Sequence, residues 1–386
     1  MKFDNQLRYA IQIIDTYRGE TPLHLWLKDF FRLHPQMGSR DRKLLSTLVY
    51  NFYRLGHAIK TQPPEERMIA AFFLCNDQPG DLLGYFRPLW LEKTGLPLEE
   101  KIAFFQSTSE GAAFHVIDIF PWKEELSPGI DHEAYCLSFL RQPDLFLRIR
   151  PGGEATVRQQ LAADAEFIPP VTIRLPNNFK VDTHLTPDRE IVIQDYSSQR
   201  VVEFLKSADR PPEYFWDACA ASGGKSIMAH DLYPDMEIMV SDIRTSILRN
   251  LRARFQTAGI RKYHSFLADL AKQAPPASAA NADLILADVP CTGSGTWGRT
   301  PEELYFFDPE KINRYSAIQK KILTNIAQHL APDASLVYCT CSVFRKENEE
   351  MAALIRGILG VDPQRMENIK GYDQHADTLF AARFTR

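Results

Sequence analysis

Tyr214-Phe215-Trp216-Asp217-Ala218-Cys219-Ala220-Ala221-Ser222-Gly223-Gly224-Lys225 is the stretch that decides how this chain is read. Tyr214 to Ala218 predicts a short strand. The small residues and paired glycines that follow let the backbone turn tightly and approach a ligand at the start of a helix, where free N–H groups favour a carboxylate or phosphate. The loop does not spell the dinucleotide pattern G-x-G-x-x-G and lacks the P-loop spacing, which counts against nicotinamide and ATP.

Working outward, three more short apolar runs read as strands: Ile238 to Ser241, Leu284 to Ala287 and Ser335 to Cys339. Helical stretches separate them, the pattern of a parallel sheet in an α/β domain. Gln273 to Asn281, rich in Ala, Pro and Ser, reads as a surface loop. Asp242 closes the second strand about one βαβ step after Asp217, where a carboxylate takes both hydroxyls of a ribose or caps the next helix. Beside the glycine loop, the ribose reading is favoured.

Upstream the period changes. Leu145 to Arg150 alternates with period two and ends at Pro151-Gly152-Gly153, and Val171 to Leu175 alternates before Pro176-Asn177-Asn178, so a small α+β insert is expected. From Asp4 to about Lys60 the spacing is helical. Leu7, Ile11 and Ile14 share one face, and Leu44, Leu45, Leu48, Val49, Phe52 and Tyr53 recur after Ser39 as a candidate N-cap. Helices are expected to continue to about Phe105. Three domains follow as the expectation: 1–125 helical, 135–190 small α+β, and 191–386 α/β.

The 386 residues, 45% hydrophobic and 24% charged, suffice for packed cores and exceed one typical domain. No apolar run approaches the roughly 18 residues of a membrane span, and the start Met1-Lys2-Phe3-Asp4-Asn5 lacks a signal-peptide core, so a cytoplasmic protein with no membrane partner is expected. The six cysteines (75, 136, 219, 291, 339 and 341) suit reduced thiols better than a disulfide framework. Cys339 and Cys341 have no accompanying C-x-x-C or His pair, so no metal is expected. With a net charge of −4, any nucleic-acid contact must come from a local patch. Arg244, Arg249, Arg252, Arg254, Arg261 and Lys262 suit either RNA phosphates or a solvated helix face, and Arg40, Arg42, Lys43 and Arg54 carry the same ambiguity.

Two cysteines stand in two motifs, Asp288-Val289-Pro290-Cys291 and Thr340-Cys341-Ser342, each at the end of an apolar run. Carbon-5 of cytosine is a poor nucleophile, and a thiolate adding at carbon-6 activates it toward a methyl donor. The pair therefore points to chemistry on a cytosine ring.

Together these motifs resemble the catalytic domain of the RNA 5-methylcytosine methyltransferases of the Sun/NOL/NOP family. The likeness covers residues 191–386: Ile193-Gln194-Asp195-Tyr196-Ser197-Ser198-Gln199, the Cys219 to Lys225 loop, Asp288 to Thr296, and Tyr338-Cys339-Thr340-Cys341-Ser342 followed by Glu347-Asn348-Glu349. More loosely, Ser39-Arg40-Asp41-Arg42 with Tyr50-Asn51-Phe52-Tyr53-Arg54 resembles the NusB-like RNA-binding domain of bacterial members acting on small-subunit ribosomal RNA.

The resemblance implies a Rossmann-like core that binds S-adenosylmethionine (SAM), preceded by an all-α NusB-like domain and a small, RRM-like α+β insert. It implies cofactor contacts from Cys219, Ala220, Ala221, Ser222, Gly223, Gly224, Lys225, Asp242, Asp269 and Asp288. Cys341 is then the nucleophile, Cys291 assists release of the product, and Asp288 hydrogen-bonds the cytosine edge. The chain departs from the family pattern at Ser222, usually proline, at Cys339, usually serine, and at Gly298, where arginine is common. The expected partner is RNA, ribosomal rather than transfer RNA, acted on by a monomer. The competing class is a non-catalytic RNA-binding or ribosome assembly protein, which has no reason to keep both Cys291 and Cys341. A DNA methyltransferase is disfavoured, since such enzymes lack Thr-Cys-Ser.

Overall fold

The structure is a computed structural model that describes residues 2–161, 165–207 and 210–386. Residues 1, 162–164 and 208–209, which fall within the expected domains 1–125, 135–190 and 191–386, lie outside the described residues. The chain forms two compact units. One holds residues 1–124, 131–142 and 297–308, the other residues 125–130, 143–296 and 309–386.

The first unit is helical, with its longer helices at Phe3–Thr16, Leu23–Leu33, Ser39–Arg54, Pro64–Cys75 and Leu98–Gln106. Leu45, Leu48, Val49, Phe52 and Tyr53 are buried, as the spacing predicts. Ser39 is the first helical residue rather than the cap: Gly38 stands at the cap position, and no side chain caps this end. Residues 297–308, read from the sequence as part of the stretch 191–386, belong to this unit. The reason is apolar burial. Trp297, Leu304 and Phe307 are buried, the Trp297 ring lies 4.6 Å from Phe307 and 6.2 Å from Phe120, and the carboxylate of Glu302 accepts the Leu23 N–H at 3.1 Å.

The second unit contains two sheets. The smaller is antiparallel and joins β1 (Leu145–Ile149), β2 (Glu166–Ile168), β3 (Thr172–Leu175) and β4 (Ile191–Ile193) in the order β2-β3-β1-β4. The larger has seven strands: β5 (Tyr214–Asp217), β6 (Glu237–Asp242), β7 (Tyr263–Leu267), β8 (Leu284–Asp288), β9 (Ser335–Thr340), β10 (Arg365–Ile369) and β11 (Leu379–Thr385), in the order β10-β11-β9-β8-β5-β6-β7. β5 through β9 are parallel, while β11 runs antiparallel to β9 and to β10. The four strands read from the sequence are present; β7, β10 and β11 are additional.

Why the middles of the central strands are apolar follows from their two covers. Successive side chains of a strand point to opposite faces. Leu284, Leu286 and Val337 enter one core and Ile285, Ala287, Leu336 and Tyr338 the other, so both faces are covered, and the buried polar residues of these strands, Asp217, Ser241, Asp242, Ser335 and Thr340, stand at or near strand ends.

The order also fixes where a ligand must sit. The chain runs from β5 outward through β6 to β7, then returns to place β8 on the other side of β5. The crevice beyond the carboxyl ends of β5 and β8 is therefore the switch point at which open α/β sheets bind ligands. It is flanked by the glycine loop after β5, Pro290-Cys291 after β8 and Cys341 after β9. Among the described residues, no helix is long and apolar enough to cross a membrane.

Candidate active site

At the end of β5, Asp217 is 1% exposed and accepts the Ser226 hydroxyl at 2.6 Å. Burial drives its pKa up to about 7, with the negative charge of Asp288 adding and the Ser226 bond opposing. Its Oδ1 lacks a well-formed hydrogen bond, although the Cys219 N–H lends the anion some support. The chain then turns through two left-handed residues, Ala221 (φ 45°) and Gly223 (φ 83°). A Cβ on Gly223 would also stand 2.9 Å from Phe255, so glycine is required on both counts. The helix Gly224–Leu232 starts immediately after.

Asp242 braces this turn from the end of β6. Its Oδ2 accepts the Ala221 N–H at 3.1 Å, and its Oδ1 accepts the Arg244 N–H at 2.9 Å and the Arg244 guanidinium at 3.0 Å. Burial raises its pKa, but the Arg244 hydrogen bonds and charge outweigh that and hold the carboxyl below its usual range. Asp242 does not occupy the cap position of the next helix, which begins at Thr245 with Arg244 before it. Ser222, the residue found where proline is usual, has a partner of its own. Arg254 donates to its Oγ at 2.9 Å and its backbone oxygen at 3.1 Å, while gripping both oxygens of Asp188 at 2.6 and 2.8 Å.

A cavity of about 300 Å³ opens at the switch point. Ala220, Ala221, Ser222, Gly224 and Lys225 line it from the loop, together with Asp217, Asp288 and Cys341. Lys225 donates to Asp288 at 2.7 Å. Burial disfavours the ammonium, yet Asp288 more than compensates and carries the pKa above that of an ordinary lysine, so Lys225 stays ionised. Cys291 does not line the cavity. It stands behind the nucleophile candidate, its sulfur 3.3 Å from that of Cys341. The hydrogen bond with Cys341, then burial, raise the Cys291 pKa well above the ordinary value and keep it a thiol.

Cys219, Gly223, Asp242 and Asp269 stand outside the cavity lining. Asp269 accepts the Ala271 N–H at 3.2 Å and pairs with Lys272 at 3.0 Å. Cys219 is half-buried, and loss of solvent around its thiol raises its pKa. The loop after Cys291 is pinned through Gly295, whose N–H donates to the Cys341 oxygen and whose oxygen accepts the Thr378 N–H, both at 2.9 Å. A Cβ there would lie 1.8 Å from the Thr378 oxygen, so only glycine permits the approach. Sequence reading missed Arg254, Asp188 and Gly295 as site residues. Arg254 appeared only as one charge in a run; its pairing with Asp188, 66 residues earlier, leaves no local trace. Among the described residues, no group of three or more His, Cys, Asp or Glu is placed to hold a metal.

Known proteins match this arrangement. The family described as 16S rRNA methyltransferase RsmB/F matches residues 204–370. The probable ribosomal RNA small subunit methyltransferase B of Bacillus subtilis is 29% identical over 227 residues, 57% of this chain and 50% of that protein. The chain thus spans about half the length of the curated relatives it matches. Among solved structures, PH0851 superposes with a TM-score of 0.63 at 20% identity, covering 92% of this chain and 93% of the other. NSun6 from Pyrococcus horikoshii, solved with SFG, gives a TM-score of 0.52 at 13% identity over 73% of this chain and 96% of the other. The Rossmann-like sheet and these matches agree: residues 204–370 are similar to the RsmB/F family of methyltransferases, the Sun/NOL/NOP type that the motifs resemble.

Proposed function

We propose that this chain is a SAM-dependent RNA cytosine-C5 methyltransferase that works through a covalent adduct between Cys341 and carbon-6 of the target cytosine. The observation that carries the reading is the placement of the Cys341 thiol in one cavity with Asp288, Lys225 and the glycine loop, with Cys291 in contact behind it. The residues fit the cofactor: a tight turn of small side chains, a buried Asp217 with an oxygen left for a cationic group, and Asp242 at the end of the neighbouring strand. Bound there, SAM would supply the methyl group.

The chain's own residues do the rest. The ionised Lys225 stands beside Asp288 in the cavity that Cys341 lines, and the reacting form of Cys341 is its thiolate. The thiolate forms a bond to carbon-6, and the electron pair displaced from the ring double bond makes carbon-5 nucleophilic. Asp288 accepts from the N4 amino edge and orients the ring, and the Lys225 ammonium paired with it offsets the negative charge that develops there. After methylation the carbon-5 proton passes to a solvent base, its electron pair re-forms the ring double bond, and the bond to Cys341 breaks with its pair returning to the sulfur as thiolate. Cys291, in contact with that sulfur, assists this release. The family and the Bacillus relative, both named for small-subunit ribosomal RNA, support ribosomal over transfer RNA as substrate.

The test separates the thiols. Cys291→Ala should attack and then stall, giving a protein–RNA band that survives a denaturing gel, whereas Cys341→Ala should give neither band nor product. An RNA adduct on Cys341→Ala and none on Cys291→Ala would reverse the roles.

A further inference from the structure

Glu347 is fully buried, six residues beyond Cys341, and the mechanism above gives it no task. Its carboxylate accepts four hydrogen bonds. Oε1 takes the Thr292 N–H at 2.9 Å and the Gln319 amide at 3.2 Å; Oε2 takes the hydroxyls of Thr292 and Ser342, each at 2.5 Å. Thr292 follows Cys291 in the chain, and Ser342 follows Cys341. One carboxylate therefore grips the residue next to each thiol.

The surroundings fix the grip at every end. Gln319 also donates to the Pro290 oxygen at 3.0 Å, on the near side of Cys291. The Tyr338 hydroxyl, from β9, donates to the backbone oxygen of Glu347. Asn348 accepts the Thr340 hydroxyl at 2.6 Å and donates to the Ser342 oxygen at 2.9 Å, which holds both neighbours of Cys341. A carboxylate costs several kcal/mol to bury unless donors surround it, so an apolar residue would serve better if the position only filled space. Three donors from the two cysteine segments, with the Gln319 amide from the helix Glu310–Gln328 as the fourth, are what such a cost secures.

We propose that Glu347 is a positioning residue that sets the spacing between Cys291 and Cys341. The inference rests on the reading of these thiols as the reacting pair, but its test needs neither RNA nor turnover. Diamide closes two neighbouring thiols into a disulfide: the sulfurs join, and the two protons and two electrons they lose reduce the diazene to a hydrazine. Closure requires the sulfurs to meet, so its rate reports their spacing.

In the wild-type protein Cys291 and Cys341 should close readily, read by mass spectrometry of the peptides. Glu347→Met removes all four links and should slow closure by about tenfold or more, the equivalent of one lost hydrogen bond to a charged group. Glu347→Gln should largely restore it, because its amide can donate to the two hydroxyls, which turn round to accept. In methylation, Glu347→Met should lower kcat with KM for RNA within about twofold, the signature of a lost interaction made only in the reacting complex. Thr292→Val and Ser342→Ala each cut one link from the loop side and carry the same measurement if Glu347→Met does not fold. Wild-type closure rates in Glu347→Met, or in both loop variants, would overturn the proposal. A wild-type enzyme that closes its thiols as expected yet methylates no cytosine would instead refute the functional reading and leave the clamp standing.

Discussion

Replacing Asp217 with asparagine tests the electrostatics at the base of the cavity. The side chain keeps its shape and can still accept the Ser226 hydroxyl, but it can no longer ionise. In the folded protein the Asp217 pKa stands at about 7 against 3.8 for an aspartate in water, chiefly through burial. A raised carboxyl pKa means that the native state holds a proton the unfolded state has lost. Stability is then full below the unfolded pKa and falls as pH rises towards 7, by up to about 1.4 kcal/mol per pH unit. Between pH 5 and pH 7 the contribution is about 2 kcal/mol, because the group is half-ionised at the upper end. Because Asp217 is almost wholly buried, solvent screening does little to reduce it. Asparagine removes this dependence. Thermal unfolding of both proteins from pH 5 to pH 8 should therefore show the variant gaining on the wild type as pH rises, by roughly 5–10 °C over the range. The cofactor adds an opposite trend: its cationic group favours the Asp217 carboxylate, so SAM should bind the wild type more tightly above pH 7 than at pH 6, and the variant equally at both. Parallel unfolding curves, with a gap that does not change with pH, would refute the assignment of a proton to Asp217.

Three further outcomes follow from the geometry. Asp242→Ala frees the Ala221 N–H and the Arg244 contacts, and calorimetry should find SAM binding weaker by roughly 1.5–3 kcal/mol, about tenfold or more; unchanged affinity would leave Asp242 as a brace with no part in the cofactor site. Gly295→Ala drives a methyl group into the Thr378 oxygen and should cut methylation by about tenfold or more through displacement of the Cys341 loop, with SAM affinity within about twofold; full activity would mean that the loop tolerates the shift. Deleting residues 1–124 leaves Trp297, Leu304 and Phe307 without most of their core, at about 1.5–3 kcal/mol of lost burial per side chain. The fragment should bind a hydrophobic dye and aggregate, and a dye-silent, monodisperse fragment would contradict this.

The parts of the fold that sequence made legible are those where one local pattern decides the outcome. β5, β6, β8 and β9 are buried on both faces, which forces apolar runs, and the turn at Gly223 admits only a small set of residues. β7 and β10 are edge strands with mixed surfaces, Tyr-His-Ser-Phe-Leu and Arg-Met-Glu-Asn-Ile, so no run marks them. β11 is buried, but Leu379-Phe380-Ala381-Ala382 suits a helix as well as a strand, and no crossover helix introduces it. The site divides in the same way. Cys291, Cys341, Asp288 and the glycine loop announce themselves through chemistry that few other residues supply. Arg254 with Asp188, Gly295 with Thr378, and the return of residues 297–308 to the helical unit depend on partners far away in the chain, and nothing local encodes them.

Bisulfite sequencing of total RNA compares the parent strain with one lacking this gene, and with that strain carrying either the wild-type gene or Cys341→Ala. The account expects a cytosine of the small-subunit ribosomal RNA that resists conversion in the parent, converts fully in the deletion and in the Cys341→Ala strain, and regains resistance with the wild-type gene. The same set of protected cytosines in all four strains would contradict it.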